Sequence, residues 1–264
     1  MIAAITLDFG NTLVPVPDGA LREVVAETSR AIAEQLGPFD EAEVHRIWAE
    51  ERERQFREEV PRFREVDLAE RLGRILARLR GMPAPPPDER WNDEAAGLLS
   101  DDAEREWAVE VYSAAFIARL PPAPDAERVL RALAPRYPLA VLSNWPLATT
   151  IDRYLDAAGW TSLLRAVVIS QRVGTIKPHP AIFAAARGAL GNPDPDTILH
   201  VGDDWAADVV GAKGVGWRAA FLRDRPPDSP LPGSERDDSV AADIELDRLG
   251  DLEVALDAMA EALA

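Results

Sequence analysis

Short apolar runs that each end in a polar or small residue recur along the chain, with helical patterns between the later ones. The apolar runs occupy residues 3–8, 139–144, 166–171, 197–203 and 218–222, and residues 242–259 read as a last strand and a C-terminal helix. Strands that alternate with helices are typical of βαβ units. The pattern therefore predicts an α/β fold with a three-layer, Rossmann-like parallel sheet.

The stretch between the first and second apolar runs breaks this rhythm. From Val14 to about Leu120 we find no strand pattern, and apolar residues instead recur at helical spacing, as in Leu68, Leu72, Ile75, Leu76 and Leu79. Prolines punctuate both ends of this stretch. We therefore expect residues 1–15 and 121–264 to form the core and residues 16–120 to form an inserted helical cap. Residues 223–238 are rich in proline and charge, which predicts a mobile surface loop.

The amino-acid composition limits the kinds of molecule that the protein is expected to bind. The formal net charge of −17 opposes binding to nucleic acid or to an anionic membrane, and no apolar run reaches the length of a transmembrane helix. The absence of cysteine excludes thiolate chemistry and cysteine metal sites. We expect a cytoplasmic protein that acts on a small molecule, and the sequence leaves the oligomeric state open.

Residues able to do chemistry stand where the predicted strands end. They are Asp8 after the first run, Ser143 and Asn144 after the second, Lys177 after the third, and Asp203 with the nearby Asp208 after the fourth. The carboxyl ends of parallel strands meet at one edge of the sheet, so these side chains should converge there. Lysine is rare in this arginine-rich chain, occurring only at Lys177 and Lys213, which favours a specific need for an ammonium at position 177.

The converging set suits phosphoryl transfer. A carboxylate can attack phosphorus, Mg²⁺ can bridge the attacking carboxylate, a phosphate oxygen and a second carboxylate, and an ammonium and a hydroxyl can hold the other phosphoryl oxygens. Asp208 could either fix metal-bound water or orient Lys177. Asp204 is more typical of a helix N-cap than of a metal ligand. His179 should precede a helix, and Asn11 should occupy a turn with left-handed backbone.

The ordered motifs D-x-x-x-T-L, apolar-S-N, K-P and G-D-D-x-x-x-D resemble those of the haloacid dehalogenase-like superfamily. The resemblance covers nearly the whole chain, because a helical insert after the first strand is similar to the C1 cap of that superfamily. It implies a nucleophile, two phosphoryl-binding groups and a Mg²⁺ site that includes a backbone carbonyl. Asp8 would be the nucleophile, and Ser143 and Lys177 would bind the phosphoryl group. The Mg²⁺ ligands would be Asp8, Asp203, Asp208 and the carbonyl of Gly10. Thr12, which should steady its loop by hydrogen bonding, and Asn144 would lie at the substrate.

One departure from the superfamily pattern concerns the reaction itself. Phosphatases of this superfamily carry a second aspartate, the general acid and base, where this chain has Gly10. Losing such a group typically slows a reaction by about 100- to 10,000-fold. The sequence therefore predicts a Mg²⁺-dependent phosphatase that is slow or restricted in substrate, and a Gly10→Asp substitution should raise turnover.

The sequence suggests three alternative functions. A metal-independent 2-haloacid dehalogenase needs no acid at this position, because halide leaves without a proton, although the G-D-D-x-x-x-D motif resembles the Mg²⁺-binding form. Phosphonate cleavage needs a cap lysine, and residues 16–120 contain none. The remaining alternative is a catalytically weak module that binds a metabolite or a protein partner.

Overall fold

A six-stranded parallel sheet forms the centre of the computed structural model, which describes residues 1–262. The strands lie in the order β3-β2-β1-β4-β5-β6, so the first strand is central. They span β1 Ala4–Leu7, β2 Leu139–Ser143, β3 Ala166–Ile169, β4 Ile198–Gly202, β5 Arg218–Leu222 and β6 Ile244–Leu246. Every residue of β1, β2 and β4 is buried, which explains why these strands are continuous apolar runs rather than alternating ones.

Eleven α-helices accompany the sheet within the described residues. Five lie in the stretch inserted after β1: α1 Asp18–Gln35, α2 Glu41–Glu59, α3 Leu68–Leu79, α4 Asp93–Gly97 and α5 Asp102–Arg119. The others are α6 Ala126–Leu133, α7 Ala148–Ala157, α8 Ser170–Val173, α9 Pro180–Ala189, α10 Gly211–Gly214 and α11 Leu252–Ala262. No helix among residues 1–262 combines the length and the apolarity that crossing a bilayer requires.

Three of the inserted helices begin at polar caps that the sequence supplies. The side chains of Asp40, Asp67 and Asp101 accept hydrogen bonds from backbone N–H groups in the first turns of α2, α3 and α5. The helical character expected of residues 16–120 is confirmed. The absence of strands from this stretch is confirmed, whereas the proposed domain boundaries stay a prediction.

An aromatic cluster joins the inserted helices to the sheet. Phe9, just beyond β1, packs edge-on against Trp145 and Tyr154 with ring centroids 5.6 and 5.2 Å apart. Phe116 of α5 lies 6.4 Å from Phe9 and 5.3 Å from Trp145. Edge-to-face pairs of this kind add to the energy of burial itself. The insert is therefore packed directly onto the carboxyl edge of the sheet.

The end of β4 is shaped by an unusual helical turn. Residues Trp205–Val210 form a π-helix, a geometry often found at functional sites. This turn brings Asp208 back against Gly202, so that a Cβ atom on residue 202 would lie 2.2 Å from the carboxyl carbon of Asp208. Only glycine fits there. Asp204 caps the turn by accepting a hydrogen bond from the Ala207 N–H, as its place in the sequence predicted.

Residues 223–238 form an irregular and largely exposed loop, as predicted, but the loop makes polar contacts that the sequence did not indicate. Arg225 contacts Asp203 at 3.0 Å, Ser229 hydrogen-bonds to Asn11, and Ser234 donates to Asp204. These contacts tie the loop across the carboxyl edge of the sheet. Its proline and charge content marked an irregular backbone correctly but did not reveal that its polar groups have buried partners.

We predict that Gly202→Ala lowers the free energy of unfolding by at least about 2 kcal/mol, because the new methyl group overlaps the Asp208 carboxyl. Urea denaturation followed by circular dichroism measures this change. Gly188→Ala on the exposed face of α9 is the matched control, because its new methyl group meets nothing within 4 Å and alanine favours a helix by up to about 1 kcal/mol. Equal stability of the two variants would contradict the packing described here.

Candidate active site

Lys177 lies between two carboxylates at the carboxyl edge of the sheet. Its ammonium donates to Asp8 at 2.8 Å, to Asp208 at 2.5 Å and to the Leu142 carbonyl at 2.9 Å. Asp8 follows β1 directly, Asp208 lies in the π-helical turn after β4, and all three charged side chains are buried. The structure thus brings together three of the residues that the sequence singled out.

The polar network continues into the sheet through His200 on β4. Its Nε2 lies 3.0 Å from the Asp208 carboxylate, and its Nδ1 lies 2.8 Å from the hydroxyl of Thr6 on β1. Asp208 also accepts from the Asp204 N–H at 2.9 Å. These bonds favour Asp208 as the residue that orients Lys177, one of the two roles that its sequence position allowed. Direct metal coordination by Asp208 stays a prediction.

Burial and charge act on each member of this network. Burial lowers the pKa of Lys177, but the carboxylates of Asp208 and Asp8 outweigh it and raise that pKa overall. Burial likewise raises the pKa of Asp208, but Lys177 and His200 bring it well below the usual range. The pKa of His200 is lowered by burial and by Lys177, which favours the neutral ring. The lysine is therefore held as a cation and Asp208 as its counter-charge.

The negative charges of Asp8 and Asp203 are less well balanced by nearby positive groups. Burial and the neighbouring Asp208 raise the pKa of Asp8 despite Lys177, and burial together with Asp8 and Asp208 raises that of Asp203 well above its usual value. Oxygen atoms of these three carboxylates lie within 4.8 Å of one another. Crowded buried carboxylates with too little counter-charge are the donor set that hard divalent cations prefer. The residues present therefore fit a Mg²⁺ ion.

Two neighbouring side chains already donate hydrogen bonds to the Asp203 carboxylate. Arg225 and the Asn11 amide donate to the same oxygen of Asp203, at 3.0 and 3.3 Å. Asn11 adopts the left-handed backbone expected of it, with φ of 55°. Sequence reasoning missed Arg225, because it lies in a loop more than twenty residues after Asp203 and no spacing rule connects the two.

The remaining predicted site residues have distinct positions. Ser143 is buried at the tip of β2, where its hydroxyl opposes the rise that burial causes in the pKa of Asp8. Asn144 uses its amide to bond both the N–H and the carbonyl of Lys177, at 2.7 and 3.1 Å, so it positions the lysine backbone. Thr12 is buried, but its hydroxyl has no hydrogen-bond partner within residues 1–262, so the expected loop-steadying bond is not formed. Substrate contacts of Asn144 and Thr12 stay predictions.

The surroundings of Gly10 explain how the chain uses a residue without a side chain. A Cβ atom on residue 10 would lie 2.7 Å from Cδ1 of Leu231 and 3.2 Å from the Trp145 ring. Leu231 belongs to the loop of residues 223–238, and Arg225 donates to its carbonyl. An apolar side chain therefore fills the space that an acid at position 10 would enter. This changes the expectation for Gly10→Asp, because the new side chain would collide with Leu231.

A cavity of about 400 Å³ connects this edge of the sheet to the inserted helices. Its volume is in the range typical of small-molecule sites. Its polar lining includes Asp8, Lys177, Asp203, Arg225 and Arg71, whereas its walls are mostly apolar or aromatic, among them Leu21, Val25, Trp48, Phe56, Val60 and Tyr112. His179 caps α9 by accepting from the Ala181 N–H, as expected, and does not line this cavity.

Comparison with known proteins identifies the family. The family model described as haloacid dehalogenase-like hydrolase matches residues 2–216, which is most of the chain. The chain therefore belongs to the haloacid dehalogenase-like hydrolases, and the resemblance drawn from its motifs is confirmed.

Relatives with assigned activities match parts of the chain. A pyrimidine 5′-nucleotidase of Escherichia coli is 32% identical over 109 residues, which is 40% of this chain and 48% of the relative. A ribulose-1,5-bisphosphate 5-phosphatase of Halopiger xanaduensis is 29% identical over 149 residues, or 54% of this chain and 60% of the relative. The chain thus aligns with only about half the length of these two relatives.

Solved structures match over nearly the full length. A 2-haloacid dehalogenase from Pseudomonas syringae pv. Tomato superposes with a TM-score of 0.65 at 22% identity, covering 98% of this chain and 100% of that one. A haloacid dehalogenase-like phosphatase from Thermococcus onnurineus gives 0.60 at 21% identity, covering 97% and 98%. At such low identity these structures confirm the α/β fold with inserted helices and do not distinguish the two activities.

We predict that Gly10→Asp raises phosphatase turnover more when position 231 carries a smaller residue. Gly10→Asp with Leu231→Ala should exceed wild type by at least about tenfold, because the acid then has room to transfer a proton. Gly10→Asp alone should gain less. Steady-state hydrolysis of p-nitrophenyl phosphate and of an alkyl phosphate compares the four forms. Equal gains with and without Leu231→Ala would show that Leu231 does not occupy the space of the missing acid.

Proposed function

We propose that the protein is a Mg²⁺-dependent phosphatase that acts on a small phosphorylated metabolite through an aspartyl-phosphate. The observation that supports this most is the buried group of Asp8, Asp203 and Asp208 around the ammonium of Lys177. Three carboxylates facing one ammonium leave a negative site suited to a divalent cation. The phosphatase names of its relatives agree with this proposal.

Each residue has a role in the proposed reaction. Asp8 attacks phosphorus, the bond to the leaving oxygen breaks, and water then hydrolyses the acyl phosphate to release phosphate and restore Asp8. Lys177 and the Ser143 hydroxyl hold phosphoryl oxygens, while Asp208 orients Lys177. Asp8, Asp203 and the Gly10 carbonyl would hold Mg²⁺, which when bound supplies the counter-charge that lets a carboxylate approach a phosphate.

The environment of Gly10 sets the expected rate. Leu231 and Trp145, rather than a carboxylate, lie against the position from which that acid would project. Protonation of a basic leaving alkoxide is therefore unassisted at that point. We expect slow turnover of alkyl phosphates and faster turnover of esters whose leaving groups are weak bases.

A second candidate function is a metal-independent 2-haloacid dehalogenase, and Gly10 is the observation that favours it. Halide needs no proton on leaving, so an apolar Leu231 beside Gly10 would not slow the first step. The crowding of Asp203 and Asp208 beside Asp8 argues against it, since three buried carboxylates with too little counter-charge favour a bound divalent cation.

A substrate panel with and without Mg²⁺ separates these functions. We predict Mg²⁺-dependent hydrolysis of aryl phosphates and acyl phosphates, lost with EDTA and reduced at least about 1,000-fold by Asp8→Asn, which removes the nucleophile while keeping the shape. Release of phosphate and of halide from 2-haloacids is measured in parallel.

Asp204→Asn is the matched control, because Asp204 caps the neighbouring turn and an asparagine oxygen can accept the same Ala207 bond. It should keep Mg²⁺-dependent activity. Halide release that is insensitive to EDTA and lost in Asp8→Asn would replace the phosphatase proposal with the dehalogenase. Inactivity on both panels would refute both enzymatic proposals and leave a binding module.

A further inference from the structure

Arg71 of α3 is buried in the wall of the active-site cavity, and among residues 1–262 no carboxylate pairs with it. Its side chain lines the cavity and is only slightly exposed, and its one hydrogen bond to the protein runs from Nε to Oε1 of Gln55 at 2.9 Å. Gln55 is neutral and in turn donates to the Asp67 carbonyl. The guanidinium Nη2 atom of Arg71 is buried and has no hydrogen-bond partner among residues 1–262.

The other arginines buried in the inserted helices are paired. Arg74 of α3 contacts Asp93 at 2.6 Å and Glu58 at 3.6 Å. Arg54 of α2 lies 3.6 Å from Glu58 and also donates to backbone carbonyls. Buried charges are normally compensated in this way, because an unpaired ion far from water is strongly unfavourable. Arg71 departs from a rule that its neighbours on α2 and α3 obey.

The nearest acid does not remove this exception. Glu65, which also lines the cavity, interacts with Arg71 at longer range, but its carboxyl binds the Ser170 hydroxyl and the Val66 N–H instead. Burial raises the pKa of Glu65 to about 7, and burial lowers the pKa of Arg71 to about 10. The guanidinium stays charged at neutral pH, and no carboxylate of residues 1–262 lies within 4.0 Å of it.

Resting on the proposed phosphatase function, we infer that Arg71 binds a second anionic group of the substrate, a carboxylate or a second phosphate, at the end opposite the phosphoryl group that Asp8 attacks. Asp8, Lys177 and Arg71 all line the same cavity of about 400 Å³. Most of the remaining lining is apolar or aromatic, so the part of the substrate that joins its two anionic ends is a short carbon chain or ring.

Charge complementarity supports this occupant. The chain carries a net charge of −17, and the sheet end of the cavity is dominated by carboxylates. Arg71 and Arg52 instead place positive charge at the cap end, and Arg52 is tethered by its stacking over Phe56 at 5.0 Å. A guanidinium with free N–H groups in a largely apolar wall is a strong and selective hydrogen-bond donor to anions. Phosphate esters whose alkyl group carries no second charge should therefore be poor substrates.

The test compares three series of phosphate esters of two to six carbons: plain alkyl phosphates, ω-carboxyalkyl phosphates and terminal bisphosphates. With Mg²⁺, we expect wild type to show a kcat/KM at least about tenfold higher for a carboxylate or bisphosphate than for the alkyl ester of the same length. Whichever series prevails identifies the anion. Arg71→Gln should abolish that preference, and Arg71→Lys should retain part of it.

Arg46→Gln on the exposed face of α2 is the matched control and should leave the preference unchanged, because Arg46 contacts only exposed glutamates. A preference that survives in Arg71→Gln would overturn the inference, as would hydrolysis of all three series by wild type with equal kcat/KM. Either result would leave the phosphatase proposal standing.

Non-hydrolysable ω-carboxyalkyl phosphonates and bisphosphonates of the same lengths make the inference testable even if no ester is hydrolysed. Isothermal titration calorimetry with Mg²⁺ present should show binding to wild type that is weakened at least about tenfold in Arg71→Gln. Such a result without turnover would refute the phosphatase and support the anion site. Absent binding, or equal binding to both proteins, would overturn the anion site.

Discussion

The site depends on one buried ammonium that two carboxylates share. Lys177 contacts Asp8 and Asp208, and Asp208 continues through His200 to Thr6, so charged and polar groups from separate strands form one connected network. Without the ammonium, two buried carboxylates would repel each other at short range, and breaking such a buried pair typically costs about 3–5 kcal/mol. The ammonium of Lys177 therefore determines both the geometry of the sheet edge and the charge state of Asp8.

The same network leaves a deficit of positive charge on one side. Asp203 shares its charge only with Arg225 and the Asn11 amide, which explains why a divalent cation is the ligand that this edge would accept. The other side is closed by an apolar residue, because Leu231 lies over Gly10. These contacts give the sheet edge a buried carboxylate beside an ammonium, with an apolar side chain rather than an acid against Gly10.

The sequence predicted the parallel sheet, the helical insert and the convergence of the strand-end residues, because apolar runs and their polar ends follow directly from burial and strand direction. It did not predict the partners of these residues. Arg225 and Leu231 reach the site from an irregular loop, where no periodicity relates position to direction. Arg71 was hidden among many cap arginines, and only a structure shows which of them lacks a carboxylate.

A crystal structure of the protein grown with Mg²⁺ tests the central claim most directly. The account predicts a cation in contact with the carboxylates of Asp8 and Asp203, while the ammonium of Lys177 remains between Asp8 and Asp208. A structure in which the Lys177 ammonium turns away from both carboxylates, or in which saturating Mg²⁺ leaves this edge empty with Asp8 and Asp203 pointing apart, would contradict it.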